Sequence, residues 1–298
     1  MLIRKPVAAG RFYPAAPDAL IRKVRACLDA GAAIRRPGVQ GASAPAETEA
    51  VSRPWGLMLP HAGYVYCGRV LGATLAGVEL PRTLVVLCPN HTGRGQALGV
   101  WPEGAWLTPL APLPVDADLA AALIERGDGN GGFAADTLSH LGEHAVEVVL
   151  PFLQVAAGEE RPLRITPVCV GTQQPEALRA AGQALADVLA GCRSKGQEVG
   201  VIVSSDMNHY EDERRTVEKD ALALERALAC DPEGLLAVAA RERISMCGAG
   251  PLALALFAAR QLGRARAELA AHDTSATASG DTEHVVGYAG LRLFLDEK

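Results

Sequence analysis

Five short apolar runs constrain this chain most, because each is too brief for a stable lone helix and too apolar to lie in water. They are Gly56–Leu59, Thr83–Cys88, Arg164–Val170, Val199–Ser204 and Gly287–Leu295. Brief apolar runs bounded by Gly, Pro and polar residues read as buried strands. Segments with helical spacing separate several of them: Asp116–Glu125, His144–Ala156, Pro175–Leu189, Glu218–Ala229 and Pro251–Leu262. A further helix is expected over Pro17–Ala30, where Leu20, Ile21, Val24 and Leu28 fall on one face. Strands alternating with helices imply an α/β fold with a central, mostly parallel sheet flanked by helices on both faces.

A length of 298 residues suits one large domain or two ordinary ones. The stretch Arg35–Ser52, rich in Gly, Pro, Ala and Glu, reads as a loop. Too little chain precedes it to build a separate core, so residues 1–298 are read as a single domain. With 49% apolar residues the chain can bury a sizeable core. A net charge of −5 provides no basic footprint for nucleic acid. The charged run Glu211–Arg215 reads as a solvated helix start. Residues 1–6 lack the apolar core of a signal peptide, and Gly250–Ala259 is too short to span a bilayer. The expectation is a cytoplasmic protein with no membrane contact. Seven cysteines with no C-x-x-C pair imply reduced thiols. Cys27, Cys88, Cys169, Cys192 and Cys230 are expected to fill the core.

The polar residues concentrate where strands end. The first strand runs into Pro60-His61, the second into Asn90-His91, and the fourth into Asp206-Met207-Asn208-His209. In an open parallel sheet, ligands bind in the crevice beyond the carboxyl ends of the strands. Three histidines delivered to one edge therefore point to metal ligation or proton transfer, the two commonest tasks of imidazole. Cys247 lies directly before an apolar helical pattern, where donated amides and the helix dipole favour the thiolate.

Several motifs together resemble the Memo family, which includes bacterial members of the AmmeMemoRadiSam system protein B type. The motifs are Arg4–Pro14, Leu59–Tyr64, Pro89–Gly93, Glu143–Glu147 with Leu150–Gln154, Ser204–His209, Cys247–Pro251 and Val286–Gly290. The resemblance implies a fold similar to the class III extradiol dioxygenases, which hold non-haem iron with two histidines and a glutamate. Carried over by motif, it implies His61, His91 and Cys247 as metal ligands, with the thiolate in place of the carboxylate. It also implies His209 as the proton-transferring residue, with Asp206 orienting its imidazole. Glu143 and His144 would line the crevice behind the ligands. Tyr64, just after His61 in sequence, is expected either to donate a hydrogen bond in the pocket or to pack. Fe(II) is the implied metal, with Cu as the alternative that a soft thiolate would favour. The implied chemistry is redox, with dioxygen and a small substrate, and a radical-SAM-system protein is the implied partner.

Two other function classes are legible. His140-Leu141-Gly142-Glu143-His144 matches the H-x-x-E-H spacing of inverted zinc peptidases, in which His140 and His144 would share a helix face and Glu143 would act as the base. Against it stand Gly142, a poor helix-interior residue, and Ser139, which resembles a cap. The other class is a non-catalytic protein- or peptide-binding module on the same fold. The acidic balance and the lack of a dense Arg/Lys patch disfavour phosphopeptide recognition.

Overall fold

The computed structural model describes residues 2–34, 51–127, 132–158, 160 and 162–296. Almost all of the expected loop at 35–52 thus lies outside the described residues. Strand β1 (Ile3–Arg4) and helix α1 (Pro17–Ile34) precede β2 (Gly56–Leu59), α2 (Tyr64–Leu75) and β3 (Thr83–Pro89). Short strands β4 (Leu98–Val100), β5 (Ala105–Trp106) and β6 (Leu113–Pro114) lead to α3 (Ala117–Arg126) and β7 (Ala134–Ala135). Next come α4 (Leu138–Leu141), α5 (Ala145–Ala157), β8 (Arg164–Val170), α6 (Pro175–Ser194), β9 (Val199–Ser204) and β10 (His209–Glu211). The chain closes with α7 (Glu213–Leu228), α8 (Pro232–Glu242), α9 (Ala249–Leu262), β11 (Arg264–Thr274), α10 (Ala276–Ser279) and β12 (Val285–Asp296).

One nine-stranded sheet carries the order β10-β12-β2-β9-β3-β8-β4-β7, with β11 paired to β12. Strands β2, β9, β3 and β8 run parallel and form its centre. On either side of them the sheet turns antiparallel, at β12 against β2 and at β4 against β8. The centre is parallel for the reason expected: its residues are buried on both faces, which only covering helices can achieve. Strand β3 shows the division. Val85 and Leu87 join a cluster with Leu178 and Leu185 of α6 and Leu252 and Leu256 of α9. Leu84, Val86 and Cys88 point the other way, into a cluster with Leu20 of α1, Leu71 of α2 and Val149 of α5.

Helix α7 starts at Glu213, five residues ahead of the expected Glu218, because Asp212 caps it by accepting the Arg215 N–H. Helices α2 and α8 and strand β11 were not expected from periodicity. Among the described residues no helix is long and apolar enough to cross a membrane.

The amino-terminal segment is tied down by a buried ion pair. Arg4 pairs with Glu147 of α5, and both side chains are shut off from water. The Arg4 guanidinium also donates to the carbonyls of Glu143 and His140 and lies 4.6 Å from the Trp106 ring centroid. Glu147 in turn accepts the Val7 and Ala8 N–H groups, each at 2.7 Å, and the Tyr13 hydroxyl at 2.6 Å. Every charge in this knot is answered, so removing one partner strands the rest. Glu147→Ala is expected to cost ~3–5 kcal/mol in urea unfolding. Glu147→Gln should cost less, since its amide oxygen still accepts.

Candidate metal centre

Four strand and helix ends converge beyond the carboxyl edge of the central strands. His61 follows β2, His91 follows β3, Asp206 follows β9, and His144 sits at the start of α5. The sheet order makes β2, β9 and β3 neighbours, which brings their terminal residues together. Ring nitrogens of His61, His91 and His144 all lie within 4.8 Å of one another. The His91 and His144 rings stack at 5.0 Å, and His61 meets both edge-on.

Hydrogen bonds fix which nitrogen two of the rings present. The Ser204 hydroxyl donates to the Ala145 carbonyl at 2.6 Å, so its oxygen is left to accept. It lies 2.8 Å from His61 Nδ1, which must therefore carry the proton and leave the Nε2 lone pair facing the crevice. Glu143, fully buried, performs the same service for His91, lying 2.9 Å from Nδ1 while also accepting the His91 and Ala145 N–H groups. Its other neighbour is His144 Nδ1, at 3.4 Å. Phe12 packs on the far side of His144, at 4.7 Å.

The electrostatics follow from this arrangement. Burial pushes the His61 pKa down, and His144 and His91 push it further. Burial lowers His144 too, with Glu143 opposing and His91 adding to the fall. Burial also works against the His91 cation, but the hydrogen bond and charge of Glu143 outweigh it and raise its pKa. Glu143 is the reciprocal case. Burial raises its pKa, and the His91 bond with the backbone N–H donors more than reverses that. Nitrogens of three rings thus face one space, and burial disfavours the cation on two of them. A cation with affinity for imidazole nitrogen would relieve that arrangement, so the donor set fits a metal ion.

Cys247 stands beside this group, its Sγ 3.4 Å from His61 Nε2. It precedes α9 as expected, but the expected thiolate is not favoured there. Burial, followed by the Asp206 charge, raises the thiol pKa, and the Asp206 N–H at 3.3 Å only partly offsets this. The helix dipole loses because a buried thiolate beside a carboxylate costs more than one amide returns. Asp206 itself accepts the His61 N–H at 2.8 Å. Burial raises its pKa to about 7, against the opposing pull of that bond.

The expected pairing of Asp206 with the His209 ring is corrected by the structure. His209 Nδ1 bonds the Ser245 carbonyl at 3.0 Å, and its backbone N–H donates to Ser245 Oγ at 2.8 Å. Asn208 Oδ1 holds Ser245 in place by accepting its N–H and hydroxyl. Asp206 instead turns towards His61 because the β9 end lies beside the β2 end. Tyr64 is likewise committed elsewhere: its buried hydroxyl donates to the Val148 carbonyl at 2.7 Å. The H-x-x-E-H segment is not one helix. It spans α4 and the turn before α5, with Gly142 ending the first. His140 is enclosed between Trp101 and Trp106, its Nε2 on the Gly99 carbonyl at 3.0 Å, so His140 and His144 do not share a face.

Comparisons with known proteins decide the family. The model of the Memo-like protein family matches residues 4–292. The chain belongs to the Memo family. A MEMO1 family protein of Thermotoga neapolitana is 40% identical over 296 residues, covering 98% of this chain and 100% of its own. One from Methanopyrus kandleri is 36% identical over 291 residues, covering 97% of this chain and 98% of its own. Among solved structures, an uncharacterized protein, JW3007, from Escherichia coli K12 matches with a TM-score of 0.53 at 12% identity, over 80% of this chain and 98% of that one. That likeness extends to the fold. Within this Memo chain, reasoning from sequence missed Ser204, Ser245 and Asn208 as holders of the histidine rings. The available signal was the place of Ser204 and Asn208 in the polar run that leaves β9 and of Ser245 two residues before Cys247.

The His91–Glu143 pair gives a pH test on metal-free protein. Glu143, with its pKa lowered, contributes stability that is lost as pH falls through its folded pKa. His91, with its pKa raised above 6.5, contributes stability that is lost as pH rises through its folded pKa. NMR titration is expected to place the His91 pKa above 6.5 in the wild type and lower in Glu143→Gln, where only the Asp206 charge still opposes burial.

Proposed function

We propose that the crevice holds a single redox-active metal ion, Fe(II) with Cu as the alternative, for chemistry on a small substrate with dioxygen. His61, His91 and His144 would supply nitrogen donors and Cys247 the thiolate. The observation that carries this reading is the convergence of ring nitrogens with Nδ1 of His61 tied to Ser204 and Nδ1 of His91 tied to Glu143. Imidazoles held by a carboxylate or hydroxyl on the far nitrogen are the usual form of metal-ligating histidine. Family membership supports the same reading.

When bound, the ion would supply a Lewis-acidic centre able to exchange single electrons. The remaining work falls to the chain. Ser204 and Glu143 hold the Nδ1 atoms of His61 and His91, so Nε2 of each ring is the nitrogen left for the metal. Cys247 must shed its proton to act as a donor, so metal uptake releases one proton and strengthens as pH rises. His209 keeps its Nδ1 proton on Ser245, which leaves Nε2 to take a proton from substrate. Burial lowers its pKa, so the ring is neutral and able to act as a base at pH 7. Asp206, with a pKa of about 7, can hold or release a proton beside His61.

Elemental analysis of protein purified without oxygen and loaded with Fe(II) or Cu tests the reading. His61→Ala and His91→Ala should lose most metal with the fold intact by circular dichroism. Ser204→Ala and Glu143→Gln should weaken affinity ~10–100-fold. Cys247→Ala should flatten the rise of affinity with pH, and His140→Ala should change nothing. Wild-type protein that takes up neither metal would end the proposal, and a binding module without metal would then be the better account. His209→Gln should keep the metal and slow oxygen consumption ~10²–10⁴-fold.

A further inference from the structure

The phenol best placed to serve this crevice is not the one beside His61 in sequence. Tyr64 has spent its hydroxyl on Val148. Tyr288 has not. It lies in the Val286–Gly290 motif of β12, a segment to which no role in the metal centre falls. Backbone bonds from Met207 N to Gly287 O and from Gly287 N to Asn208 O, both 2.8 Å, set Tyr288 next to Asp206 on the neighbouring strand segment. Its ring lies on the sheet face covered by α2, in the cluster that includes Cys67 and Tyr64.

Only 2% of Tyr288 is exposed, and its hydroxyl has no hydrogen-bond partner among the described residues. A buried hydroxyl left without a partner costs ~1–3 kcal/mol. The enclosed, unpartnered side-chain atoms among the described residues are Trp106 Nε1, Ser139 Oγ and His140 Nδ1. The Tyr288 hydroxyl is not one of them, so the small exposed area of the residue includes that oxygen. Burial and then the charge of Asp206 raise the phenol pKa, with Cys67, Tyr66 and Tyr210 as the further neighbours. Tyr66 and Tyr210 are themselves exposed. The hydroxyl therefore keeps its proton to donate at neutral pH, on a residue whose backbone lies beside the segment that carries Asp206.

We propose that Tyr288 is a ligand-binding residue of the candidate centre, its hydroxyl donating to an anionic or carbonyl oxygen of a small molecule seated beside Asp206. The inference rests on the metal-centre reading, and its test separates the two. Azide is the probe, titrated into Cu(II)-loaded protein and followed by absorbance. Tyr288→Phe should bind azide about tenfold more weakly than wild type, the loss of one hydrogen bond to a charged ligand. Thermal unfolding of the metal-free protein supplies the second readout. Tyr288→Phe should leave Tm within about 1 °C, because no internal bond is lost, whereas Tyr64→Phe should lower it by about 2–4 °C. Equal azide affinity in wild type and Tyr288→Phe overturns the inference, and so does a Tm loss in Tyr288→Phe as large as that in Tyr64→Phe. Wild type that takes up no copper or Fe(II) removes the metal-centre reading and this inference with it.

Discussion

The buried pair of Arg4 and Glu147 holds the candidate centre in shape. Arg4 comes from the first strand and Glu147 from the first turn of α5, 143 residues later. Between them lies the turn that carries Glu143 and His144, and Arg4 holds two of its carbonyls, those of His140 and Glu143. Glu147 anchors the backbone of Val7 and Ala8, after which Phe12 reaches the His144 ring. The turn that carries His144 is therefore gripped from the amino-terminal segment on one side and from the end of β9, through Ser204, on the other. A buried ion pair contributes little net stability over apolar packing, but it tolerates very few alternative arrangements. That is what a centre needs if its nitrogens are to stay aligned.

The histidines themselves make a poor resting state without a cation. Burial and mutual repulsion depress the pKa of two, and Glu143 raises that of the third. Nothing in the packing of the sheet requires that. The hydrogen bonds to the far nitrogens raise the cost further, since they stop the rings from turning their N–H groups inward to satisfy one another. Such pre-arrangement is destabilising for the empty fold and would favour a bound cation, which would not have to organise these rings.

Much of the fold was legible because its centre is so apolar. The boundaries of β2, β8 and β9 coincide with the apolar runs, since a strand buried on both faces has no polar position to blur its ends. Helix α2 was not legible. Its sequence, Tyr64 to Leu75, mixes aromatic, β-branched and glycine residues, which favour a helix poorly. Packing on α1 overrides that preference: a Cβ on Gly72 would come within 2.0 Å of the Cys27 carbonyl oxygen, so the two helices meet at a contact that glycine alone permits. Strand β11 was hidden for the opposite reason. It alternates alanine with charge, and it is a strand because it pairs with β12 along its length.

By itself, the sequence determined the parallel centre, the strand ends at which His61, His91 and His209 emerge, and the family, because these depend on local apolarity and short motifs. Tertiary structure alone decided which side chains meet. It added His144 to the nitrogen group and left Cys247 a protonated thiol against His61. It turned Asp206 to His61 rather than His209, and sealed His140 among tryptophans. The physical reason is that each of these outcomes depends on a hydrogen bond or ring contact between residues far apart in the chain. Ser204 and His61 are separated by 143 positions and Cys247 and His61 by 186, and no local pattern encodes the angle at which such groups face each other.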